Sequence, residues 1–278
     1  MKTASPLRYP GGKWRVAPFF GRLLDANRLD GIDYAEPYAG GASLALSLLM
    51  QGRVGSIHLN DLDVAIYSFW HAVLEDNQRF VDQLALVEVT PDEWARQRQI
   101  YMLGSRADTF ALGFATFFLN RTNHSGIMNG GMIGGKAQAG EWRLDARFNR
   151  HDLMARVARV GQLRSRIHIS NLDALKFLAN LGRRRREKLI YLDPPYFKKG
   201  PDLYLNAYSA ADHAKVRLAV GQIKAPWVVS YDEVPEIRSL YRGVKARSFD
   251  LLHNARTSRT GREVLFFSDL LRVPRSVS

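Results

Sequence analysis

The sequence predicts an α/β fold, a doubly wound sheet carrying a mainly helical insert. Three observations carry that prediction: β-rich runs alternate with helical patterns at the front of the chain, the alternation stops for about a hundred residues, and strand signals then return. Residues 32–36 read as a strand, 42–51 as a helix, 56–60 as a second strand and 62–75 as a second helix with apolar positions near 3.6 spacing. This is one βαβα unit. Thr90-Pro91-Asp92-Glu93 then opens a helix with a capping box and Pro at the first helical position. Residues 108–119 form a helix apolar nearly all round, 125–140 a Gly-rich loop or hairpin, and 150–164 a further helix. Strands resume at 166–170, 188–192 and 227–230, and 262–267 pairs with 244–252 as an antiparallel edge hairpin. The core is therefore assigned to 1–76 and 161–278 and the insert to 77–160, with no internal repeat and no low-complexity linker.

Composition narrows the class. At 278 residues the chain exceeds the usual single-domain size, as expected of a core with an insertion. Hydrophobic residues at 46% and charged residues at 24% exclude disordered and fibrous classes. The longest apolar stretches fall far short of the roughly 20 residues of a membrane span. Prolines 6, 10 and 18 and the Gly11-Gly12 pair stand where a signal peptide would need an apolar run. The absence of cysteine removes thiol, zinc-finger, iron–sulfur and disulfide chemistry. A soluble cytoplasmic protein is expected. The anomaly is the net charge of +13, carried by 30 Arg and 10 Lys, with +10 on residues 121–186 and +6 on 238–275. Because Arg grips phosphate oxygens bidentately, the bias points to a polyanionic partner and to one basic face.

Three segments carry chemistry. In Ala35-Glu36-Pro37-Tyr38-Ala39-Gly40-Gly41-Ala42-Ser43 a strand turns into a helix through two glycines, which lets the backbone approach a ligand beside free helix N–H groups. It is not the G-x-G-x-x-G fingerprint, and Gly11-Gly12-Lys13 is followed by Trp14, so it is no Walker A. Asp61 ends the second strand 21 residues after Gly40, the place of a ribose-binding carboxylate, although it or Asp63 also suits the N-cap of the next helix. Asp193-Pro194-Pro195-Tyr196 follows the strand Leu189-Ile190-Tyr191-Leu192 and projects into the crevice at the sheet's carboxyl edge. Its prolines donate no N–H, which leaves a carboxylate, a carbonyl and an aromatic ring suited to gripping an exocyclic amino group and stacking on its ring.

Taken in order, Leu7-Arg8-Tyr9-Pro10-Gly11-Gly12-Lys13, Glu36-Pro37-Tyr38-Ala39-Gly40-Gly41, Asn60-Asp61, Asn120-Arg121-Thr122-Asn123 and Asp193-Pro194-Pro195-Tyr196 resemble the D12 class, the Dam-like family of DNA adenine-N6 methyltransferases. The likeness spans almost the whole chain. It implies S-adenosylmethionine as methyl donor, a Rossmann-like methyltransferase sheet, an inserted DNA-recognition domain and double-stranded DNA as partner, with no metal. Tyr9, Lys13, Asp61 and Asp193 are then the cofactor contacts, the Glu36 to Gly41 turn, with Glu36 and Gly40, lies beneath its methionine portion, and Asp173 is a weaker candidate near its adenine. Asp193, Pro194 and Tyr196 become catalytic, holding N6 of a flipped adenine. Arg121, Asn123 and Lys136 in the insert, and Arg256 and Arg259 in the C-terminal loop, are the DNA-binding candidates. In the loop 126–140, Met128, Asn129, Ile133 and Lys136 suit a groove-probing hairpin.

Thr-Asn-His-Ser-Gly-Ile after Asn120-Arg121 differs from the residues that accompany GATC recognition, which leaves another target open, as in a restriction–modification or phage-borne enzyme. A monomer or weak dimer is expected. Related signatures occur in RNA and protein-amide methyltransferases, and a DNA-binding protein of the same fold without catalysis is the remaining alternative. The basic insert and the motif order favour duplex DNA over the former, and intact Lys13, Asp61, Asp193 and Tyr196 favour an enzyme over the latter.

Overall fold

Among the described residues, seven strands form one sheet in the order β3-β2-β1-β4-β5-β7-β6. They are β1 (Asp33–Glu36), β2 (Ser56–Asn60), β3 (Ile167–Ser170), β4 (Lys188–Leu192), β5 (Trp227–Asp232), β6 (Lys245–Leu251) and β7 (Gly261–Phe267). The first five are parallel, and β7 runs against both its neighbours, β5 and β6. The computed structural model describes residues 4–8, 13–181, 188–197, 208–251 and 261–275. The strand order reverses between β1 and β4, and in open α/β sheets that reversal opens a crevice at the carboxyl ends. The sequence places every one of these strands to within two residues and foresees the terminal hairpin.

Strand parity divides the side chains between two layers. On β4, Leu189 and Tyr191 join one core with Tyr34, Ile57, Leu59, Val228, Leu265 and Phe267. Ile190 and Leu192 join the other with Ala35, Val229, Tyr231, Val264 and Phe266. The first layer is covered by α1 (Ala17–Asn27), α2 (Ser43–Met50) and α3 (Val64–Glu75), the second by α8 (Ala174–Leu181), α9 (Ala210–Gln222) and α10 (Pro235–Leu240). α1 escapes the sequence reading because Pro18 counts there only against a leader. In the structure it occupies the first helical turn, where its missing N–H is harmless, and Phe19, Phe20, Leu23 and Leu24 supply the buried face.

Between β2 and β3 the chain runs through α4 (Asn77–Leu86), α5 (Pro91–Leu103), α6 (Thr109–Thr122) and α7 (Arg150–Gln162). Thr90, Asp108 and Asn149 cap the last three with their side-chain oxygens. These helices do not build a core of their own. Phe80 of α4 meets Phe69 of α3 and Phe110, Phe114 and Phe117 of α6, and Phe69 also stacks on Phe117. α3 and α6 touch closely enough that a Cβ on Gly113 would stand 2.3 Å from the Ser68 carbonyl oxygen. Residues 124–147 form a chain of turns with one bridge, Asn123 to Met132, where the sequence suggested a loop or hairpin. No helix among the described residues is long and apolar enough to cross a membrane.

Helix propensity alone makes Gly113→Ala stabilising by about 1 kcal/mol, whereas the contact with Ser68 makes it destabilising by about 1–3 kcal/mol. The clash is expected to win, and the urea unfolding midpoint decides the sign.

Candidate active site

The carboxyl ends of β2, β1 and β4 each deliver one sequence-predicted acid. Glu36 ends β1 on the face covered by α1, and is 4% exposed. It accepts hydrogen bonds from the Tyr34 hydroxyl at 3.0 Å and from the Ala45 N–H at 3.2 Å, so it satisfies the first turn of α2, whose own N-cap residue, Ala42, offers no side-chain oxygen. Gly40 (φ 44°) and Ala42 (φ 45°) both lie in the left-handed region, which glycine adopts freely and alanine does not. The strain is held by neighbours, since Trp70 donates its indole N–H to the Gly40 carbonyl at 2.9 Å.

Asp61 and Asp63 resolve into separate roles. Asp63 is the N-cap of α3, accepting from the Ala65 N–H at 2.8 Å. Asp61 instead accepts from the Gly40 N–H at 2.8 Å and the Asp63 N–H at 3.0 Å, which joins the end of β2 to the glycine turn. Asn60 completes the floor: its amide donates to the Pro37 and Leu172 carbonyls and its oxygen accepts from Ser170 and the Leu172 N–H. Asp173 caps α8 through the Leu175 and Lys176 N–H groups.

Asp193, one residue beyond β4, stands among charges. Its Oδ2 is 2.9 Å from Lys13 Nζ and its Oδ1 accepts from the Ser230 hydroxyl, which in turn meets the Tyr191 hydroxyl at 2.8 Å. Lys13 also lies 3.4 Å from Glu263 Oε2, and the Tyr196 hydroxyl donates to Glu263 Oε1 at 2.5 Å. Glu263, Ser230 and Tyr191 are absent from the sequence-derived site. Glu263 carried a signal, a lone carboxylate opening the apolar run Val264-Leu265-Phe266-Phe267, but its strand parity toward Lys13 emerges only once β7 is known to lie beside β5.

Electrostatics follow burial. Desolvation pushes the Glu36 carboxyl up to about 8 and Asp61 up to about 7, against the hydrogen bonds that favour their ionised forms. Burial also works against the Lys13 charge, but the Asp193 and Glu263 carboxylates outweigh it and hold the ammonium well above its ordinary value. Glu263 is raised by burial despite Lys13.

The assigned DNA contacts divide. Arg121 is 8% exposed and its guanidinium donates to the Pro6 carbonyl, which packs it against the N-terminal segment. Asn123 is fully buried, accepting from the Trp94 indole at 2.7 Å and donating to the Ile127 and Met128 carbonyls; it organises the Gly-rich loop from inside. Ile133 is buried, whereas Lys136 and Asn129 are exposed. Tyr9, Arg256 and Arg259 lie outside the described residues.

Because Glu36 binds its proton more tightly folded than unfolded, its contribution to stability is full below about pH 4 and is lost as pH rises toward 8. Glu36→Gln keeps the acceptor oxygen and removes the titration. Thermal melts between pH 5 and 8 are expected to show a flatter decline for this variant, with a gain on the order of 1 kcal/mol or more at pH 8.

Among solved structures, a conserved hypothetical protein from Streptococcus pyogenes matches at 9% identity and TM-score 0.34, covering 86% of this chain and 88% of its own. A putative RNA methyltransferase from Pyrococcus horikoshii matches at 10% and 0.42, with 94% and 86% covered. A putative class I S-adenosylmethionine-dependent methyltransferase from Listeria monocytogenes matches at 8% and 0.39, with 94% and 62% covered. No curated protein matches the chain significantly. The family model of the D12 class N6 adenine-specific DNA methyltransferases matches residues 9–258, nearly the whole chain and all of the site just described except Glu263. This chain belongs to the D12 class of N6 adenine-specific DNA methyltransferases.

Proposed function

We propose that this member of the family methylates N6 of an adenine extruded from duplex DNA, that Asp193, Pro194 and Tyr196 act on the extruded base, and that residues 77–160 form the target-recognition region. The observation that carries the reading is the Lys13–Asp193 pair at the carboxyl end of β4, beside the Gly40 turn and at the reversal of strand order.

S-adenosylmethionine, the family's methyl donor, supplies an activated methyl group on a sulfonium. The chemistry of the crevice suits it. Glu36, Asp61 and Asp193 offer acceptors, complementary to ribose hydroxyls and to a cation. Asp61 has engaged each oxygen once, with Gly40 and with Asp63, which leaves a lone pair on each for a hydroxyl donor. Asp61, Lys13, Glu36, Gly40 and Tyr9 are the proposed contacts, with Asp173 set at the start of α8 beyond them.

A base inside the duplex is out of reach, and extruding it costs about a few kcal/mol. The exocyclic amino group then donates to the Asp193 carboxylate and the Pro194 carbonyl, which turns the nitrogen lone pair outward, while the Tyr196 ring stacks on the base. Positioning and a preorganised acceptor supply most of the rate. Asp193 is an acceptor more than a base, because the N6 proton becomes acidic only after the new bond has begun to form.

The DNA face is assigned to exposed cations of the insert, Lys136 with Arg143 and Arg147, and to Arg256 and Arg259. Duplex DNA is favoured over RNA by the order of the motifs and by the net charge of +10 on residues 121–186, which overlap the insert and continue past it. A cytoplasmic location and a monomer or weak dimer remain part of the proposal.

With tritiated S-adenosylmethionine and unmethylated genomic DNA, wild-type protein is expected to yield labelled N6-methyladenine, and label in RNA or protein alone would refute the assignment. Asp193→Ala is expected to lower transfer by at least about a hundredfold while DNA binding persists. Arg256→Ala with Arg259→Ala is expected to reduce the slope of log affinity against log salt by about 2, measured by fluorescence anisotropy.

A further inference from the structure

Glu263 is a buried charge that the chemistry above leaves unused. It is 2% exposed, near the start of β7, and a carboxylate so placed is costly unless its surroundings compensate it. Two partners do: Lys13 Nζ at 3.4 Å from Oε2, and the Tyr196 hydroxyl at 2.5 Å from Oε1. Both partners belong to the proposed active site, and Glu263 reaches them from a strand 67 residues beyond Tyr196 and 250 beyond Lys13.

We infer that Glu263 is a positioning residue for methyl transfer: it shares the Lys13 ammonium, so that Asp193 stays a strong acceptor for the substrate amino group, and it fixes the Tyr196 ring through its hydroxyl. The inference rests on the methyl-transfer reading above. Its logic is a charge balance. Asp193 already accepts from Lys13 and from Ser230, and with Lys13 as its only neighbouring charge it would sit in a neutral pair, a weakened acceptor. A second carboxylate on the same ammonium leaves the trio with one surplus negative charge. That surplus faces the crevice at Asp193, whose side chain is 26% exposed, against 3% for Glu263. Tyr196 is 5% exposed and lies with Lys13 Nζ 5.5 Å from its ring centre, so its hydroxyl anchor sets the plane of the ring.

The titratable groups around Glu263 come from every packed element. Lys13 approaches from the turn Lys13–Val16, Tyr191 and Asp193 from β4 and its end, Tyr196 from the following loop, and Asp232 is its register partner on β5. Phe249, its partner on β6, carries no charge.

The test uses the full chain in excess over unmethylated genomic DNA, with tritiated S-adenosylmethionine. Single-turnover formation of N6-methyladenine is followed from pH 5 to 9, and S-adenosylmethionine and DNA affinities are measured at equilibrium. Glu263→Gln keeps an acceptor for Tyr196 and removes the charge. It is expected to slow transfer by about 10–100-fold with both affinities within about threefold of wild type. The acid limb of its pH–rate profile moves to lower pH, because the Glu263 carboxyl, which burial raises, no longer titrates. A residue that merely fills space would move neither, so a wild-type rate with an unshifted limb overturns the inference. Tyr196→Phe tests the same hydrogen bond without touching β7. It is expected to slow transfer by about 3–10-fold at unchanged affinities, and an unchanged rate overturns the anchoring of Tyr196 even where Glu263→Gln does not fold. Wild-type protein that makes no N6-methyladenine in DNA overturns the methylation reading itself. Wild-type protein that does, beside an equally fast Glu263→Gln variant, overturns only the role of Glu263.

Discussion

Lys13 is 4% exposed, and an ammonium at that depth is tolerable only with counter-charges in contact. Among the described residues two are within reach and come from separate parts of the chain, Asp193 after β4 and Glu263 on β7. Bringing them together requires β7 to lie beside β5, and therefore requires the reversed strand and its hairpin with β6. It also requires the turn Lys13–Val16 and α1 to close over that face of the sheet. The N-terminal motif, the carboxyl edge of β4 and the C-terminal hairpin are thus held in one arrangement by a single buried cation.

The charge excess takes on a different meaning in three dimensions. Sequence alone reads the Arg bias as a surface meant for a polyanion. Yet within residues 121–186 several arginines are engaged internally: Arg121 on the Pro6 carbonyl, Arg156 on the Ser5 carbonyl and Asp152, and Arg166 on the Val54 and Gly55 carbonyls. Arg150 spreads over the carbonyls of Leu84, Ala85 and Val87, the groups that the end of α4 leaves unpaired. The guanidinium fork that suits phosphate suits converging carbonyl oxygens equally well. Net charge counts both uses alike, and only burial separates them.

The same distinction explains what was legible in the sequence. The strands were legible because β-branched and aromatic runs end at turn residues, and the glycine turn and Asp193 because a sheet of this kind exposes its carboxyl edge. Asp61 and Asp63 could not be told apart by spacing, since both positions precede α3, and the deciding fact is a hydrogen bond to Gly40 across the strand ends. Asn120 and Asn123 were legible as important but not as interior: Asn120 exchanges hydrogen bonds with both the N–H and the carbonyl of Arg8, a pairing across 112 residues. Glu263 and Ser230 were invisible for a related reason, because their significance depends on which strands become neighbours and on which face each side chain falls.

The close approach of α3 and α6 at Gly113 bears on how such an enzyme acquires new targets. A recognition region that folded around its own core could be exchanged whole between relatives. Here the phenylalanines of residues 69–148 bind the inserted helices into the same apolar layer as the sheet, so a transplanted insert would have to carry matching knobs and hollows for α3. Variation is far less constrained in the turns between α6 and α7, where exposed side chains stand on a frame that Asn120 and Asn123 secure from below. Under the proposed recognition role of residues 77–160, retargeting this scaffold is a matter of rewriting a short stretch of turns and leaving the helices beneath untouched.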